Sequence, residues 1–340
     1  MMRRIGFVLL FSLPAMAAVS GIVVNHTTGK VQPGATVALN KLGQNGIELI
    51  DQAKSDAEGK FTINQEVQGP HVIRTAFDGV TYNHMLPPGV PTTDLRIDVY
   101  SASKQPGGAK LSKHMILFQP SGGQMVINET YMYANTGLTA WNDPEGGTLH
   151  FFLPAEANGK VQVNATAPGG MPIPAPVSAA GRAGIYKVDF PIKPGDTRFD
   201  LAYTVPHADG APYQGQVAAK ADDTYLIAPD GVTLAGAGLS DLGQEPRSKA
   251  HIFGLKGTSY KIELTGAVAA PAAENSEAAG EQDSGPPVEQ IMPRLNGKAP
   301  LIAGLALGIL ALGFVLLYRA PAAAPAGPAA AKGGNERGRR

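Results

Sequence analysis

Between Arg198 and Val205 the chain places Phe199, Leu201, Tyr203 and Val205 on one parity and Arg198, Asp200, Ala202 and Thr204 on the other. A period of two with one apolar side predicts a half-buried antiparallel strand. Strands are also predicted at Met115 to Phe118, Met125 to Tyr133, Thr148 to Leu153, Val161 to Ala165 and Gly184 to Phe190. Further strands are expected at Gln214 to Ala219, Thr224 to Ile227 and Ser259 to Leu264. Nearer the start, Ser20 to Val24, Val31 to Leu39, Phe61 to Ile63, Val72 to Phe77 and Leu95 to Val99 also read as strands, the last alternating cleanly, with turn signals at the breaks. Many short strands with turn signals between them predict an all-β fold of antiparallel β-sandwich modules. Two are expected, residues 19–103 and 110–265, or three if the part after Tyr213 is a subdomain of its own.

Two apolar runs have no such alternation. Ile5 to Leu13 follows Arg3-Arg4 and precedes Pro14-Ala15-Met16-Ala17, the charge, core and small-residue order of a signal peptide, assigned to residues 1–18. Pro300 to Tyr318 carries no charge, and as helix it would rise about 28 Å, enough to cross a bilayer core of about 30 Å. It is expected to be a single C-terminal transmembrane α-helix. Residues 319–340 hold Arg319, Lys332, Arg337, Arg339 and Arg340 against one acid, Glu336, which predicts a cytoplasmic tail and leaves the bulk of the chain outside. Residues 266–299 are rich in Ala, Pro, Gly and Glu and read as a self-repelling linker.

Composition sharpens this picture. Gly and Pro number 42 and 28, which suits turns rather than helices, and charged residues are only 16%. Lys plus Arg equal Asp plus Glu at 28 each, so no global field recruits nucleic acid. Cysteine is absent, excluding disulfides, thiolate metal sites and a Cys nucleophile within this chain. An exported chain without cysteine leans towards a bacterial envelope, periplasmic or extracellular.

Gly21-Ile22-Val23, then Gly29 to Val37 in the pattern Gly-x-x-x-x-Gly-Ala-x-Val, then Asp56-Ala57-Glu58-Gly59-Lys60-Phe61 follow one another at a characteristic spacing. In these motifs residues 19–103 resemble the carboxypeptidase regulatory-like domain, a transthyretin-like β-sandwich, with His71 standing where that family usually has Tyr. The resemblance implies a spacer or binding module, in a fold grouped with carbohydrate-binding sandwiches, and no peptidase activity. The segments around Asn128-Glu129, Phe152-Leu153-Pro154, Pro194-Gly195 and Tyr203 to Pro206 are similar to an uncharacterised second domain of bacterial envelope proteins, which implies no reaction.

None of the seven His begins a His-x-x-Glu or His-Glu-x-x-His motif, and neither a Gly-x-Ser-x-Gly elbow nor a Walker loop occurs. No catalytic residue, metal or cofactor is therefore assigned. His71 and His84 lack a spaced third ligand, and Asp222-Asp223 reads as a solvated turn. Three Asn-x-Thr sequons, at Asn25, Asn128 and Asn164, matter only in a glycosylating host. The candidates for ligand stacking are Trp141, in a loop by its Asn-Asp-Pro-Glu-Gly-Gly surroundings, and Tyr82. Trp141 folded back as a lid on its own sandwich is the plainer alternative. The expectation is a non-catalytic, membrane-anchored envelope adaptor with a protein partner; the alternatives are a carbohydrate-binding surface module and an enzyme with an unrecognised site in the second module.

Overall fold

The computed structural model describes residues 19–43 and 46–267, and all of them fall in one compact unit. The segments expected as signal peptide, transmembrane helix and cytoplasmic tail, and most of the expected linker, lie outside the described residues. Within them the chain is all-β, with one 3-10 turn at Ala155–Ala157. No helix among the described residues is long and apolar enough to cross a membrane.

The first core lies between two four-stranded sheets. In one, Val19–Asn25 pairs antiparallel with Lys60–Ile63 and Lys30–Val31 along one edge and parallel with Leu95–Val99 along the other. The second runs Gly46–Lys54, Thr36–Gly43, His71–Phe77, Val80–Leu86. Val19, Val23, Phe61, Ile63, Ile97 and Val99 from the first meet Val37, Leu39, Ile73, Val80 and Leu86 from the second in one apolar cluster. Gly21 is required by closeness: a Cβ there would stand 2.1 Å from the Leu95 carbonyl oxygen, inside the parallel ladder. Asp56 closes the next turn by accepting from the amides of Glu58 and Lys60 at 3.0 and 2.7 Å, and Gly59 follows at φ +74°.

The second core is larger. An eight-stranded sheet, whose centre is Ala109–Ser121, Gln124–Asn135 and Gly195–Pro206, covers one side. Two three-stranded sheets contribute to the same cluster, one through Leu149, Phe151 and Val188, the other through Tyr213, Tyr260, Ile262 and Leu264. Residues after Tyr213 thus share this core, and Asp223–Ala228 and His251–Leu255 extend the large sheet itself. The alternation around Arg198 is reproduced: Phe199, Leu201, Tyr203 and Val205 are buried.

Pairing is not wholly antiparallel. Val19–Asn25 with Leu95–Val99, Ala109–Ser121 with Asp223–Ala228, and Ala102–Ser103 with Ala140–Trp141 run parallel. A parallel neighbour needs a long crossover, and in the first two cases the intervening chain builds strands of other sheets on the way.

Residues 136–147 bind the two cores together. Ala140 is fully buried in the first core although its chain neighbours belong to the second. The amides of Ala140 and Asn142 donate to the Ser101 and Ser103 carbonyls at 3.0 and 2.8 Å, and Thr27 Oγ1 donates to the Leu138 carbonyl. On the other side Trp141 and Ile192 exchange both backbone hydrogen bonds at 2.9 Å. Lys193, next in sequence, reaches back to the Thr81 carbonyl and lies 5.0 Å from the centre of the Tyr82 ring. Burial lowers the Lys193 ammonium to about 8 from its usual 10.5, with Arg74 adding repulsion.

Candidate functional site: the Trp141 cleft and a sealed carboxylate

The structure separates the two aromatic candidates. Tyr82 is 7% exposed; it is part of the first core, and its hydroxyl donates to the Tyr100 carbonyl at 2.9 Å. Its expected role as an exposed stacking ring is corrected by the period of two in Val80–Leu86, which turns Val80, Tyr82 and Leu86 inwards. Trp141 is half-buried, and it sits in a two-residue strand rather than a loop. Its indole N–H donates to the Lys104 carbonyl at 3.2 Å, and its ring meets Tyr133 edge to face at 6.0 Å.

Trp141 and Tyr133 line a cleft of about 420 Å³ that also takes in Lys110, Thr148, His150, Arg182, Lys220 and Asp222. Each comes from a different place in the fold. Lys110 and Tyr133 stand opposite one another within a residue on paired strands, His150 is on Leu149–Phe152, Arg182 is on a turn, and Lys220 and Asp222 precede Asp223–Ala228. Lys110, Arg182 and Lys220 are exposed cations facing a single acid, Asp222. Burial holds the His150 imidazole below the usual 6.5; Arg182 and Lys187 push in the same direction, and a hydrogen bond with Gly146 and the Asp143 carboxylate oppose them. With its N–H already committed, Trp141 offers this cleft an apolar ring surface rather than a donor.

A second constellation went unread in the sequence. Glu129 projects from the inward face of Gln124–Asn135, between Ile127 and Tyr131, and is 4% exposed. Its carboxylate accepts from Tyr131 Oη at 2.6 Å and Tyr203 Oη at 2.7 Å, and pairs with His114 Nε2 at 2.8 Å. His114 is fully buried and stacks on Tyr131 at 3.9 Å between ring centres. Tyr213 Oη lies 3.4 Å from Tyr203 Oη. Burial raises the phenols of Tyr131, Tyr203 and Tyr260 well above 10, and the Glu129 charge adds to each. With Nε2–H given to Glu129, His114 Nδ1 has no hydrogen-bond partner, so a proton there would be a buried, unsatisfied donor. The signal was available: a lone acid at an inward position of the series Met125, Ile127, Glu129, Tyr131, Tyr133.

The remaining candidates are dispersed. His71 and His84 lie on neighbouring strands but in different register, opposite Leu86 and Ile73, and His71 Nδ1 is 3.1 Å from the Gly69 carbonyl. No three His, Asp or Glu among the described residues are grouped to hold a metal. Asp222 belongs to the cleft rim and Asp223 opens a strand. Of the sequons, Asn25 is 2% exposed and bonded to Gln32 and Ser101.

Among the described residues the fold defines an all-β protein with a basic cleft beside Trp141 and an internal polar network around Glu129. No protein-family model and no curated protein matches the chain. Among solved structures, matches include a two-domain M1 zinc metallopeptidase mutant bound to L-arginine, at 11% identity and a TM-score of 0.27 over 46% of this chain and 42% of that one. Another is an M1 zinc metallopeptidase from Deinococcus radiodurans bound to a Tyr-Ser-Ala substrate, at 12% identity, TM-score 0.27 and the same coverage. Native yeast LTA4 hydrolase matches at 7% identity and TM-score 0.30, over 46% of this chain and 29% of its own. The chain spans less than half the length of these proteins, and a likeness this distant carries no argument about activity.

Proposed function

We propose that this chain is a non-catalytic, membrane-anchored envelope protein whose two β-sandwich modules act together as an adaptor for a partner protein or membrane complex. The observation that carries the reading is the insertion of residues 136–147 into the first core, fixed by Ala140 and reinforced by Lys193. Two modules joined in this way present one preorganised surface, which lowers the ordering cost of engaging a partner. The acid, imidazole and phenols of the second core are spent on one another at positions closed to solvent, which supports a structural rather than catalytic use. The signal peptide, apolar span and basic tail supply the envelope setting, and the motifs from Gly21 to Phe61 supply the resemblance to accessory β-sandwiches.

The test is a crosslinking pull-down of the tagged full-length protein from its native membranes beside a version truncated at Gly266. A reproducible complex that is lost on truncation supports the anchored adaptor. No protein partner in either form overturns it. A second reading, a glycan-binding surface module, is favoured by one observation: the half-buried ring of Trp141 lines a cleft beside exposed cations.

A further inference from the structure

We infer that the Trp141 cleft is a binding site for a carboxylate-bearing glycan, an acidic sugar whose ring packs against Trp141 while its carboxylate is held by the cationic rim; this rests on the glycan-binding reading above. Three features of the cleft lead there. Its walls pair the half-buried ring of Trp141 with three exposed cations, Lys110, Arg182 and Lys220, against the one acid that lines it, Asp222. A neutral sugar would use the aromatic surface and leave the cations idle, and a small inorganic anion would do the reverse. A pyranose carrying a carboxylate uses both, and Arg182 can grip a carboxylate through two parallel N–H donors. The volume, about 420 Å³, falls in the range of about 300–1,000 Å³ usual for small-ligand clefts and suits one or two sugar rings.

The cleft is also prepared in advance. Trp141 is held by its backbone exchange with Ile192, by its indole bond to the Lys104 carbonyl and by its edge contact with Tyr133, so its ring orientation is set before any ligand arrives. Lys187, which adds to the same positive field, is itself bonded to the Glu145 carbonyl within the 136–147 segment. Binding therefore costs little side-chain ordering at the ring.

Trp141 is the sole tryptophan of the chain, so tryptophan emission reports this cleft and nothing else. The full-length protein in zwitterionic detergent micelles, which add no tryptophan, is titrated with oligogalacturonate, with a neutral oligosaccharide of equal length, and with inorganic phosphate. The expected result is a saturable emission change with oligogalacturonate, about tenfold tighter than with the neutral sugar, from the ionic contacts that only the acidic sugar makes with the rim. Added salt weakens it, and the double variant R182Q/K220Q loses the preference while keeping native emission. Equal affinity for the acidic and neutral sugars overturns the anionic class but leaves the glycan-binding reading standing. Phosphate binding as tightly as the oligomer overturns the sugar and leaves a simple anion site. No response to either sugar overturns both readings.

Discussion

The two cores solve the same problem with different materials. The first is mainly apolar and holds its buried polar groups singly: Asn25 sits beside Gln32 and Ser101, Ser55 donates to the Gln32 carbonyl at 2.7 Å, Asn40 donates to the Ala38 carbonyl, and Thr75 stands alone in mid-strand. The second places a carboxylate in the middle of its largest sheet and surrounds it with His114 and tyrosines. A dry core degrades gradually as methyl groups are removed; a polar network is all or nothing, because removing one member strands the rest without water. The first core is therefore tolerant where the second is exacting.

The largest test of that contrast is Glu129→Ala, which strands His114 Nε2 and the Tyr131 hydroxyl, leaves Tyr203 only its 3.4 Å contact with Tyr213, and should cost about 3–5 kcal/mol at about 1–3 kcal/mol per stranded buried donor. Denaturant unfolding followed by Trp141 emission measures it, and a loss below about 1 kcal/mol, the size of an ordinary hydrogen bond, would show that the network is not a keystone. Leu39→Ala, in the dry core, should cost about 2–5 kcal/mol as a cavity. If both substitutions shift one common transition, the 136–147 segment couples the cores; two separate transitions would show that it does not. Gly21→Ala follows at about 1–3 kcal/mol, since its methyl would meet the Leu95 carbonyl and prise apart the parallel ladder. An unchanged midpoint would remove closeness as the reason for glycine there.

The smallest effect concerns pH. Lys193 has a folded pKa of about 8 against 10.5 when free, so between those values the unfolded chain holds more protons and stability rises with pH. Above about 10 the buried tyrosines act oppositely: their raised pKa values keep them protonated in the folded state while the unfolded phenols ionise, and stability falls. Stability should thus climb modestly from pH 8 towards 10 and then drop. Lys193→Met should flatten the climb and spare the drop, as thermal unfolding across that range would record; a climb that persists in the variant assigns it to another group.

How far the sequence reveals this molecule depends on whether a strand has two unlike faces. Phe199, Leu201, Tyr203 and Val205 announced their strand because one side is dry and the other wet. Gly46–Lys54 escaped because it is an edge with neither face buried; Ile47 and Leu49 are 57% and 55% exposed, so no alternation marks it. Glu129 was readable as an acid on an apolar parity, yet its partners His114, Tyr203 and Tyr213 come from other strands, and no spacing in the chain predicts that convergence. The cleft is less legible still. Lys110, His150, Arg182 and Lys220 are unremarkable one by one, and only the crossing of the strands that carry them makes a concerted charge. Trp141 alone drew attention, through its chemistry rather than its position.

Under the export proposed above, the docking of Ala140 into the first core sets an order of events. A chain that crosses a membrane amino end first delivers residues 19–103 to the far side before residue 140 has emerged. That early body must wait with a vacancy where Ala140 will lie and with the Ser101 and Ser103 carbonyls unclaimed. Its completion falls to a segment translocated later, and Lys193, later again, closes the joint. The first half is thus made first and finished last, and during that interval it is the part most in need of a chaperone's cover.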